Sequence, residues 1–463
     1  MLKVGAGSSD RMKIIIAGAG RIGGSIAEVL SREGYDLSII DVSAETIEHV
    51  SNDVDALCIE GSATSPEVLC DAGAEEADIL LAVTELDEVN MVCAAAARKL
   101  GTKSVVARVR DPEYLGKSEF LENVFGISFI VNPEYECALE ISRILKFPGA
   151  VRVDTFSKGK IEIVEHVVPS GGKLAGVCLK NLKKLFDSDV LVSLAERGGK
   201  VTIPNGEFVI QPNDKLSLTG NRDELQKFFI NIGAYRKPVK SAVIVGGNRT
   251  GVYLSKLLIK NGISVSIVEK NREVCDAIYD IVPSARIICG DATKSEVLLE
   301  ERIGEKDAFI ALTGDDGDNI ITSIYAKHCG TGKVITKVDH EHFAEVLGSS
   351  DLDCFITPKN IIVTQLTRYV RAVLNSEENA MLTLYKLADG KAEAVEFEVN
   401  EKSKCIGKPL RELRLKKNIL IAGVIRGNDT ILPNGSTVIA DGDHIIVVGT
   451  AGVIRELKDI YYE

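Results

Sequence analysis

The chain repeats itself at a nearly constant offset. Residues 14–30 read IIIAGAGRIGGSIAEVL and residues 242–258 read AVIVGGNRTGVYLSKLL, and both are typical of a buried strand, a glycine turn and a helix. Gly18 and Gly246 are 228 positions apart, and Pro204 and Pro433 are 229 apart. Chance similarity between glycine-rich turns would not keep this register over most of a chain. The 463 residues therefore contain an internal duplication.

The first part of each copy alternates strand and helix patterns. Between residues 12 and 131, amphipathic segments separate the apolar runs KIIIAGA, DLSIID, DALCIE, DILLAV, SVVARV and ISFIV. This alternation predicts a parallel sheet with helices on both faces. A longer connecting or interface helix is expected after Pro133 and again after Pro358. Residues 151–230 then change to short strands with PNG and PND turns and a brief helix, which predicts a small α+β domain.

We therefore predict an α/β fold with two Rossmann-type doubly wound parallel sheets, each followed by a small α+β domain. The expected domains span residues 12–149, 150–235, 236–375 and 376–463. The first residues, MLKVGAGSSDRM, are polar and lack an apolar signal core, so Met12 is a candidate working start.

Composition narrows the classes of function. The net charge of −12 argues against a nucleic-acid partner, which needs a basic face to neutralise phosphates. No run of about 18 apolar residues is present, so no membrane span is expected. The ten cysteines lack close paired spacing, which favours buried thiols in a reducing cytoplasm over disulfides or a metal site.

The first glycine turn, GAGRIG at residues 18–23, lies between a strand and a helix, as in dinucleotide-binding sheets. Gly18 permits a tight turn, Gly20 leaves room for a phosphate at the helix N-terminus, and Gly23 allows close packing. Asp41 ends the second strand, where a carboxylate binds ribose hydroxyls and repels a 2′-phosphate. NAD(H) and ATP/ADP are therefore favoured over NADP. The alternative is that the glycines only form a turn and Asp41 caps the next helix.

Other strand ends extend this candidate site, because ligands of doubly wound sheets lie beyond the carboxyl ends of the strands. Asp87 is a candidate ligand residue and, equally, a candidate for an acid that stabilises a helix N-terminus. Arg21 is placed to reach a terminal phosphate. Arg108 and Arg110 end the fifth strand and are candidates either for surface ion pairs or for phosphate ligands that reach across a subunit boundary. The candidate site residues of the first copy are Gly18, Gly20, Arg21, Ile22, Gly23, Asp41, Gly61, Ser62, Val83, Thr84, Asp87, Asn90 and Arg108.

The second turn, GGNRTG at residues 246–251, has Asn248 where the first has Gly20. Its side chain enters the position that normally leaves room for phosphate, and Asn tolerates unusual backbone angles. We expect a second site that binds more weakly or takes a different adenine nucleotide, with an empty, purely structural copy as the alternative. Lys337 replaces Arg108. The candidate residues are Gly246, Asn248, Arg249, Gly251, Glu269, Gly290, Asp291 and Thr313.

The order of these parts resembles the TrkA family, regulatory subunits of Trk-type potassium uptake systems. The resemblance covers the chain after its first dozen residues. It rests on GAGRIG with Arg21, the acid Asp41, the GSAT and GDAT elements, AVTELDEVN with its echo ALTGDDGDN, ARVRDPEY, and the PNG…G pattern of both small domains. The glycine motif is common to many families, whereas the tandem four-part order is much more specific.

The resemblance implies a gating subunit rather than an enzyme. Its Rossmann units, of the regulator-of-potassium-conductance (RCK) type, are expected to bind NAD(H) or ATP/ADP. They are expected to assemble as a homo-oligomer, a tetrameric ring of eight such units. The ring would lie at the inner face of the cell membrane, attached to a TrkH-like potassium-translocating subunit.

Two other classes stay open. An NAD-dependent oxidoreductase needs a proton donor facing the nicotinamide and a substrate domain of adequate size, and the sequence offers few histidines and only small second domains. A nucleotide sensor for another membrane transporter would carry a similar pair of Rossmann units.

Overall fold

The computed structural model describes residues 12–114, 116–147, 150–234, 238–340, 342–343, 352–374, 381–388, 390–401, 403–450, 454 and 456–462. The expectation that Met12 is the working start concerns the residues before it, which lie outside the described residues. The expected domain junctions at residues 149, 235–236 and 375–376 lie outside them as well.

The first part of the chain folds into a six-stranded parallel sheet of strand order β3-β2-β1-β4-β5-β6. Its strands are β1 (Lys13–Ala17), β2 (Asp36–Asp41), β3 (Leu57–Glu60), β4 (Ile79–Ala82), β5 (Ser104–Arg108) and β6 (Phe129–Val131). The helices that follow these strands are α1 (Arg21–Arg32), α2 (Ala44–Asp53), α3 (Pro66–Asp71), α4 (Asp87–Leu100), α5 (Ser118–Phe125) and α6 (Pro133–Lys146).

The apolar side chains of this sheet are buried on both faces, as is typical of a parallel sheet covered by helices. Ile14, Ile15 and Ile16 of β1 are each at most 1% exposed, so both faces of the strand are covered. Strand order reverses between β1 and β4, and the carboxyl ends of these two strands meet there. In doubly wound sheets this switch point is where ligands bind.

A five-stranded antiparallel sheet follows, of order β10-β9-β11-β8-β7. Its strands are β7 (Arg152–Phe156), β8 (Ile161–Val167), β9 (Leu191–Arg197), β10 (Lys200–Thr202) and β11 (Lys215–Gly220), with helices α7 (Leu182–Phe186) and α8 (Arg222–Asn231). Apolar side chains of α8, such as Leu225 and Phe228, pack with Leu216 and Leu218 of β11 in one core.

The second copy repeats the parallel sheet with order β14-β13-β12-β15-β16-β17. Its strands are β12 (Ser241–Val245), β13 (Ser264–Glu269), β14 (Arg286–Cys289), β15 (Ala308–Ala311), β16 (Lys333–Lys337) and β17 (Cys354–Ile356). Its helices are α9 (Arg249–Lys260), α10 (Arg272–Ile281), α11 (Ser295–Glu300), α12 (Asp316–His328) and α13 (Pro358–Leu374).

The last sheet is antiparallel, of order β18-β19-β22-β20-β21. It consists of β18 (Met381–Leu387), β19 (Ala392–Glu398), β20 (Ile419–Arg426), β21 (Asp429–Ile431) and β22 (His444–Gly449). The predicted fold class is therefore confirmed. Where the first small domain has α7 and α8, the described residues of the second have short 3₁₀ turns at Leu410–Glu412 and Leu457–Ile460.

Compact units in the structure do not coincide with the sequence repeat. One unit contains the chain up to Glu136 together with Pro358–Val370, most of α13. Within this unit, Tyr369 stacks on Phe129 of β6 with ring centroids 4.8 Å apart. Its hydroxyl also lies 2.7 Å from the hydroxyl of Ser104 in β5. A helix from the second copy thus completes the first parallel sheet.

The other unit contains residues 137–357 and 371–463. Within it, the Lys333 ammonium of β16 donates to the carbonyl of Ala150 at 2.6 Å. The two antiparallel sheets share one apolar core, to which Phe156 and Ile161 contribute from the first and Leu387 and Ile446 from the second. Both copies therefore contribute to this unit.

Candidate nucleotide-binding clefts

The first glycine turn follows β1 at the switch point. Gly18 has a φ of +100°, and a Cβ there would lie 2.9 Å from the backbone nitrogen of Thr84, so only glycine fits. A Cβ on Gly23 would lie 1.8 Å from the carbonyl oxygen of Gly18, which packs α1 tightly against the turn. These two positions have the roles predicted from the motif.

Gly20 is the N-cap of α1, with φ −63° and ψ −166°, and no side chain caps the helix. A Cβ at Gly20 would meet no atom within 4 Å. The first-turn amides of α1, which include those of Ile22 and Gly23, thus have no capping side chain, and the helix dipole favours an anion at this N-terminus. The exposed Arg21 begins this helix.

Asp41, at the end of β2, positions the glycine turn. Its Oδ2 accepts a hydrogen bond from the amide of Ala19 at 2.7 Å, and its Oδ1 accepts one from the amide of Ser43 at 2.9 Å. Each carboxylate oxygen has a second lone pair that can accept from a ribose hydroxyl. The Asp41 side chain does not cap α2, contrary to the alternative reading, because the Ser43 hydroxyl accepts from the amide of Thr46 there.

The ends of β3 and β4 line the same edge. The amide of Gly61 donates to the Asp41 carbonyl at 2.8 Å, and a Cβ on Gly61 would lie 2.8 Å from Val68. Ser62 lies next, with its hydroxyl 2.8 Å from that of Thr64. Val83 extends β4, since its amide donates to the Ala17 carbonyl at 2.8 Å.

Asn90 is a positioning residue. Its fully buried amide donates to the carbonyls of Thr84 at 3.1 Å and Arg108 at 2.9 Å, and its oxygen accepts from the amide and hydroxyl of Thr84 at 2.9 and 2.7 Å. These four bonds use the full capacity of the side chain. Asn90 thus joins the ends of β4 and β5, and Asn319 makes the same bonds to Thr313 and Lys337 in the second copy.

Asp87 likewise holds the chain beyond β5. One of its oxygens accepts from the amides of Arg110 at 2.8 Å and Asp111 at 2.9 Å. The guanidinium of Arg110 lies 3.6 Å from the other oxygen. These contacts favour the structural reading of Asp87 over direct ligand contact.

Arg108 is the cation at the carboxyl end of β5. Its Nη1 donates to the Thr84 carbonyl at 3.2 Å, while its Nε is buried and has no hydrogen-bond partner among the described residues. Burial and the neighbouring Arg110 lower the pKa of Arg108 below its usual value, although nearby carboxylates oppose the shift. A phosphate would satisfy this donor.

The second cleft has the same backbone frame. Gly246 has a φ of +105°, and a Cβ on Gly251 would lie 2.4 Å from the Gly246 carbonyl oxygen. Glu269 accepts from the amides of Gly247 at 2.8 Å and Asn271 at 2.9 Å, as Asp41 does from its own neighbours. The cavity here measures about 270 Å³, and its lining includes Gly246, Glu269, Gly290, Asp291 and Thr313.

The structure corrects the backbone argument for Asn248. The residue has φ −71° and ψ 178°, an extended conformation that any residue adopts, so no special tolerance is required. Its Oδ1 accepts from the amide of Gly251 at 3.1 Å, and its amide nitrogen donates to the Leu312 carbonyl. Asn248 thus caps α9, on which Arg249 is the first residue. Asparagine is a preferred N-cap, so the sequence did contain this signal.

The charges around the two clefts differ, and the sequence reasoning missed most of this difference. Lys337, in the place of Arg108, lies 3.3 Å from the Asp339 carboxylate, whereas the first copy has Arg110 at that place. The second cavity is also lined by Asp291, Asp315 and Asp318. At the offset of 229, the first copy has Ser62, Leu86 and Val89 at these positions.

Two absences apply to the described part of the chain. It contains no group of three or more His, Cys, Asp or Glu side chains arranged to hold a metal ion. Within the same ranges, no helix is both long enough and apolar enough to cross a membrane.

Both halves of the chain match the same pair of domain families. The TrkA-N domain family matches residues 14–133 and 242–358, and the TrkA-C domain family matches residues 163–233 and 394–461. Among solved structures, the GsuK RCK domain aligns with a TM-score of 0.61 at 19% identity, covering 96% of this chain and 94% of that one. The fold is therefore that of a tandem RCK-type protein.

Curated relatives extend over nearly the whole chain. A Trk system potassium uptake protein TrkA homolog from Archaeoglobus fulgidus is 32% identical over 451 residues, 97% of this chain and 100% of the relative. The Trk system potassium uptake protein TrkA of Vibrio alginolyticus is 31% identical over 94% of this chain and 95% of its own length. The chain belongs to the TrkA family of potassium uptake proteins.

Proposed function

We propose that the chain is a nucleotide-binding gating subunit of a Trk-type potassium uptake system. In this proposal it lies in the cytoplasm at the inner face of the membrane, bound to a TrkH-like translocating subunit. It assembles as a ring of four chains with eight Rossmann units. NAD(H) or ATP/ADP binds the first cleft and changes the conformation of the ring, and the ring gates the pore.

The first cleft carries this proposal. The N-terminus of α1 is uncapped at Gly20, and the buried Nε of Arg108 has no partner among the residues that the structure describes. An anionic group between them would satisfy the helix amides and the guanidinium together. A channel with the same fold, described as GsuK channel bound to NAD, aligns with a TM-score of 0.61 at 20% identity. The curated relatives carry the name of a potassium uptake system.

Gating by a ligand requires unequal binding to two ring conformations. Moving an equilibrium from 1:99 to 99:1 needs about 10,000-fold preference in total. Four first clefts acting together reach this preference if each binds one conformation about tenfold more tightly, which corresponds to about 1.4 kcal/mol per site. One additional contact to a phosphate, such as that of Arg21 or Arg108, is of this size.

Calorimetric titration of the full chain with NAD, NADH, ATP and ADP tests the binding. We expect Arg21→Ala to weaken ATP and NADH unequally, since in this proposal Arg21 contacts a terminal phosphate, which ATP has and NADH lacks. The matched control is Arg249→Ala, at the same position of the second turn, which should leave both affinities unchanged. Equal affinities in the Arg21 variant and the wild type would remove Arg21 from the mechanism.

Potassium uptake tests the gating. Cells that lack their own potassium uptake are supplied with a TrkH-like subunit, with or without this chain, and growth is measured at low potassium. We expect growth to depend on the chain and to fall with Arg108→Gln. Oxidation of NADH by the purified chain with a panel of oxo-acids distinguishes the oxidoreductase alternative, and turnover would overturn the gating proposal.

A further inference from the structure

The second cleft differs from the first in the one place where a diphosphate would bind. The backbone angles of Asn248 (φ −71°, ψ 178°) and Gly20 (φ −63°, ψ −166°) are nearly the same. The two turns therefore present the same amides, and the side chain makes the difference. The Asn248 oxygen accepts a hydrogen bond from the amide of Gly251, whereas Gly20, its counterpart in the first cleft, has no side chain to cap the Gly23 amide.

Asn248 is also fixed from its other end. Its amide nitrogen donates to the carbonyl of Leu312, just beyond β15. A phosphate would have to displace both hydrogen bonds and would leave the Leu312 carbonyl without its donor. A buried carbonyl left without its donor is unfavourable, because its interaction with water is lost and not replaced.

The charge of the cavity also disfavours the binding of a phosphate group. The lining has four carboxylates against one ammonium, that of Lys270, and the nearby cation Lys337 is paired with Asp339. The four carboxylates are those of Glu269, Asp291, Asp315 and Asp318. The corresponding cation of the first cleft, Arg108, lies near a second cation, Arg110, as well as near carboxylates, and its Nε has no hydrogen-bond partner among the described residues. Carboxylates around a cleft repel a diphosphate, and the low dielectric constant of the cleft walls strengthens this repulsion.

The rest of the second cleft is built for a nucleoside. Glu269 is placed like Asp41, with a lone pair left on each oxygen for ribose hydroxyls. The cavity of about 270 Å³ is just below the roughly 300–1,000 Å³ typical of drug-sized ligands, which suits one nucleoside better than a dinucleotide. Its carboxylates do not converge on a metal position in the described chain.

We infer that the second cleft takes an uncharged nucleoside, of which adenosine is the probe, and excludes nucleotides that carry a diphosphate. This inference rests on the proposed function in one respect, that the two Rossmann clefts are ligand sites. Each chain then carries two different sites, one for a phosphorylated nucleotide and one for a nucleoside.

Equilibrium titration of the wild-type full chain is the first test. We expect ADP to bind once per chain, and adenosine to bind once per chain when ADP is already saturating. Glu269→Gln should weaken this adenosine binding at least tenfold and leave ADP binding unchanged. A second ADP of comparable affinity, or no adenosine uptake beside bound ADP, would overturn the inference.

Reciprocal substitutions form the second test. Gly20→Asn should reproduce the cap in the first cleft, where a side chain meets no obstacle, and weaken ADP binding at least tenfold. Asn248→Gly combined with Asp291→Ser and Asp315→Leu gives the second cleft the residues of the first at these three positions, and should add a second ADP site. Asn248→Ser retains a capping oxygen and is the matched control, expected to add none.

Circular dichroism and the unfolding temperature verify that each variant is folded. If a variant does not fold, the titration of the wild type still tests whether the second cleft binds a nucleoside. The outcomes separate the two proposals. Two equivalent ADP sites per chain would refute the nucleoside site and leave the proposed function standing. Adenosine binding with no binding of NAD, NADH, ATP or ADP would refute the proposed function and leave the nucleoside site standing.

Discussion

Single positions decide what each glycine turn can hold. Gly18 and Gly23 are required by the backbone, because a Cβ at either would collide with the chain itself. Gly20 is different, since a side chain there would meet nothing and the backbone is extended. The open space at Gly20 is thus available to a ligand, whereas the other two glycines serve the fold.

Alanine at these glycines should separate binding from stability. Gly23→Ala places a Cβ 1.8 Å from the Gly18 carbonyl oxygen, and we expect a loss of about 2–4 kcal/mol in the free energy of unfolding. Gly20→Ala should change this free energy by less than about 0.5 kcal/mol while weakening ADP binding. Chemical denaturation and calorimetry measure the two effects. Equal stability losses in both variants would contradict the assignment.

At the scale of elements, the duplicated copies differ in a buried ion pair. Arg371 of α13 is 1% exposed and donates twice to Glu393 of β19, both bonds at 3.0 Å. When GKIE at residues 159–162 is aligned with GKAE at 390–393, Glu162 takes the place of Glu393, and both face the last residue of the neighbouring strand. When the first residues of α6 and α13 are aligned, the exposed Lys146 takes the place of Arg371. Glu162 therefore lacks a bidentate partner, and its Oε2 is buried without a hydrogen bond in the described structure.

Breaking the Arg371 pair from one side should be costly. Arg371→Met leaves a buried carboxylate without its partner, and we expect a loss of about 3–5 kcal/mol in unfolding free energy. Adding Glu393→Gln removes the charge and should restore at least half of that loss, since the amide oxygen still accepts from Ile454. Denaturation of both variants is the measurement, and additive losses in the double variant would contradict the prediction.

Glu162 should make stability depend on pH. Burial raises the pKa of Glu162 to about 7, while Arg222 and Lys146 partly oppose the shift. A carboxyl group whose pKa is raised by folding contributes stability that is fully present when the pH is below its ordinary pKa. This contribution is lost as the pH rises through about 7. Glu162→Gln should therefore equal the wild type near pH 4 and exceed it at pH 8.5 by on the order of 2 kcal/mol.

Thermal unfolding at the two pH values measures this difference. The exposed Glu398→Gln in β19 is the control, and it should show no pH-dependent gain. An unfolding temperature of Glu162→Gln that differs from the wild type by the same amount at both pH values would contradict the prediction.

The sheets could be predicted from the sequence, whereas the charges around the clefts could not. Strand–helix alternation within each copy and the 228–229 offset between the copies predict two doubly wound parallel sheets, as the structure has them. Asn248 also indicated that the two clefts differ, although the difference arises from helix capping and not from unusual backbone angles. The pairing of Lys337 with Asp339 and the gathering of Asp291, Asp315 and Asp318 around one cavity depend on where separate loops end in space.

At the scale of the whole molecule, the duplicated sequence does not give two independent halves. Most of α13 belongs to the unit of the first parallel sheet, and the two antiparallel sheets share one core within the other unit. Neither grouping was predictable, because a repeat predicts equivalent contacts within each copy and says nothing about which copy supplies each partner. Each half of the sequence, if produced alone, would therefore lack part of the packing that it has in the full chain.

Tyr369 provides a test of this dependence. Tyr369→Ala removes the stacking on Phe129 and the hydrogen bond to Ser104, and we expect a loss of about 2–3 kcal/mol in the stability of the first sheet. Hydrogen exchange should then accelerate in β5 and β6, although these strands precede Tyr369 by more than 200 residues. Tyr369→Phe should retain most of the protection, and the exposed Tyr279→Ala should retain all of it. Unchanged exchange in Tyr369→Ala would show that α13 does not support the first sheet.

The position of α13 also has a consequence for how the protein is made. Glu136 leaves the ribosome roughly 220 residues before Pro358 does. At about 5–20 residues per second, the nascent first sheet waits roughly 10–45 s for the helix that completes it. During translation its β5 and β6 strands expose the surface that Tyr369 later covers. The growing polypeptide is therefore most vulnerable to aggregation and to chaperone capture in the interval before its last quarter emerges.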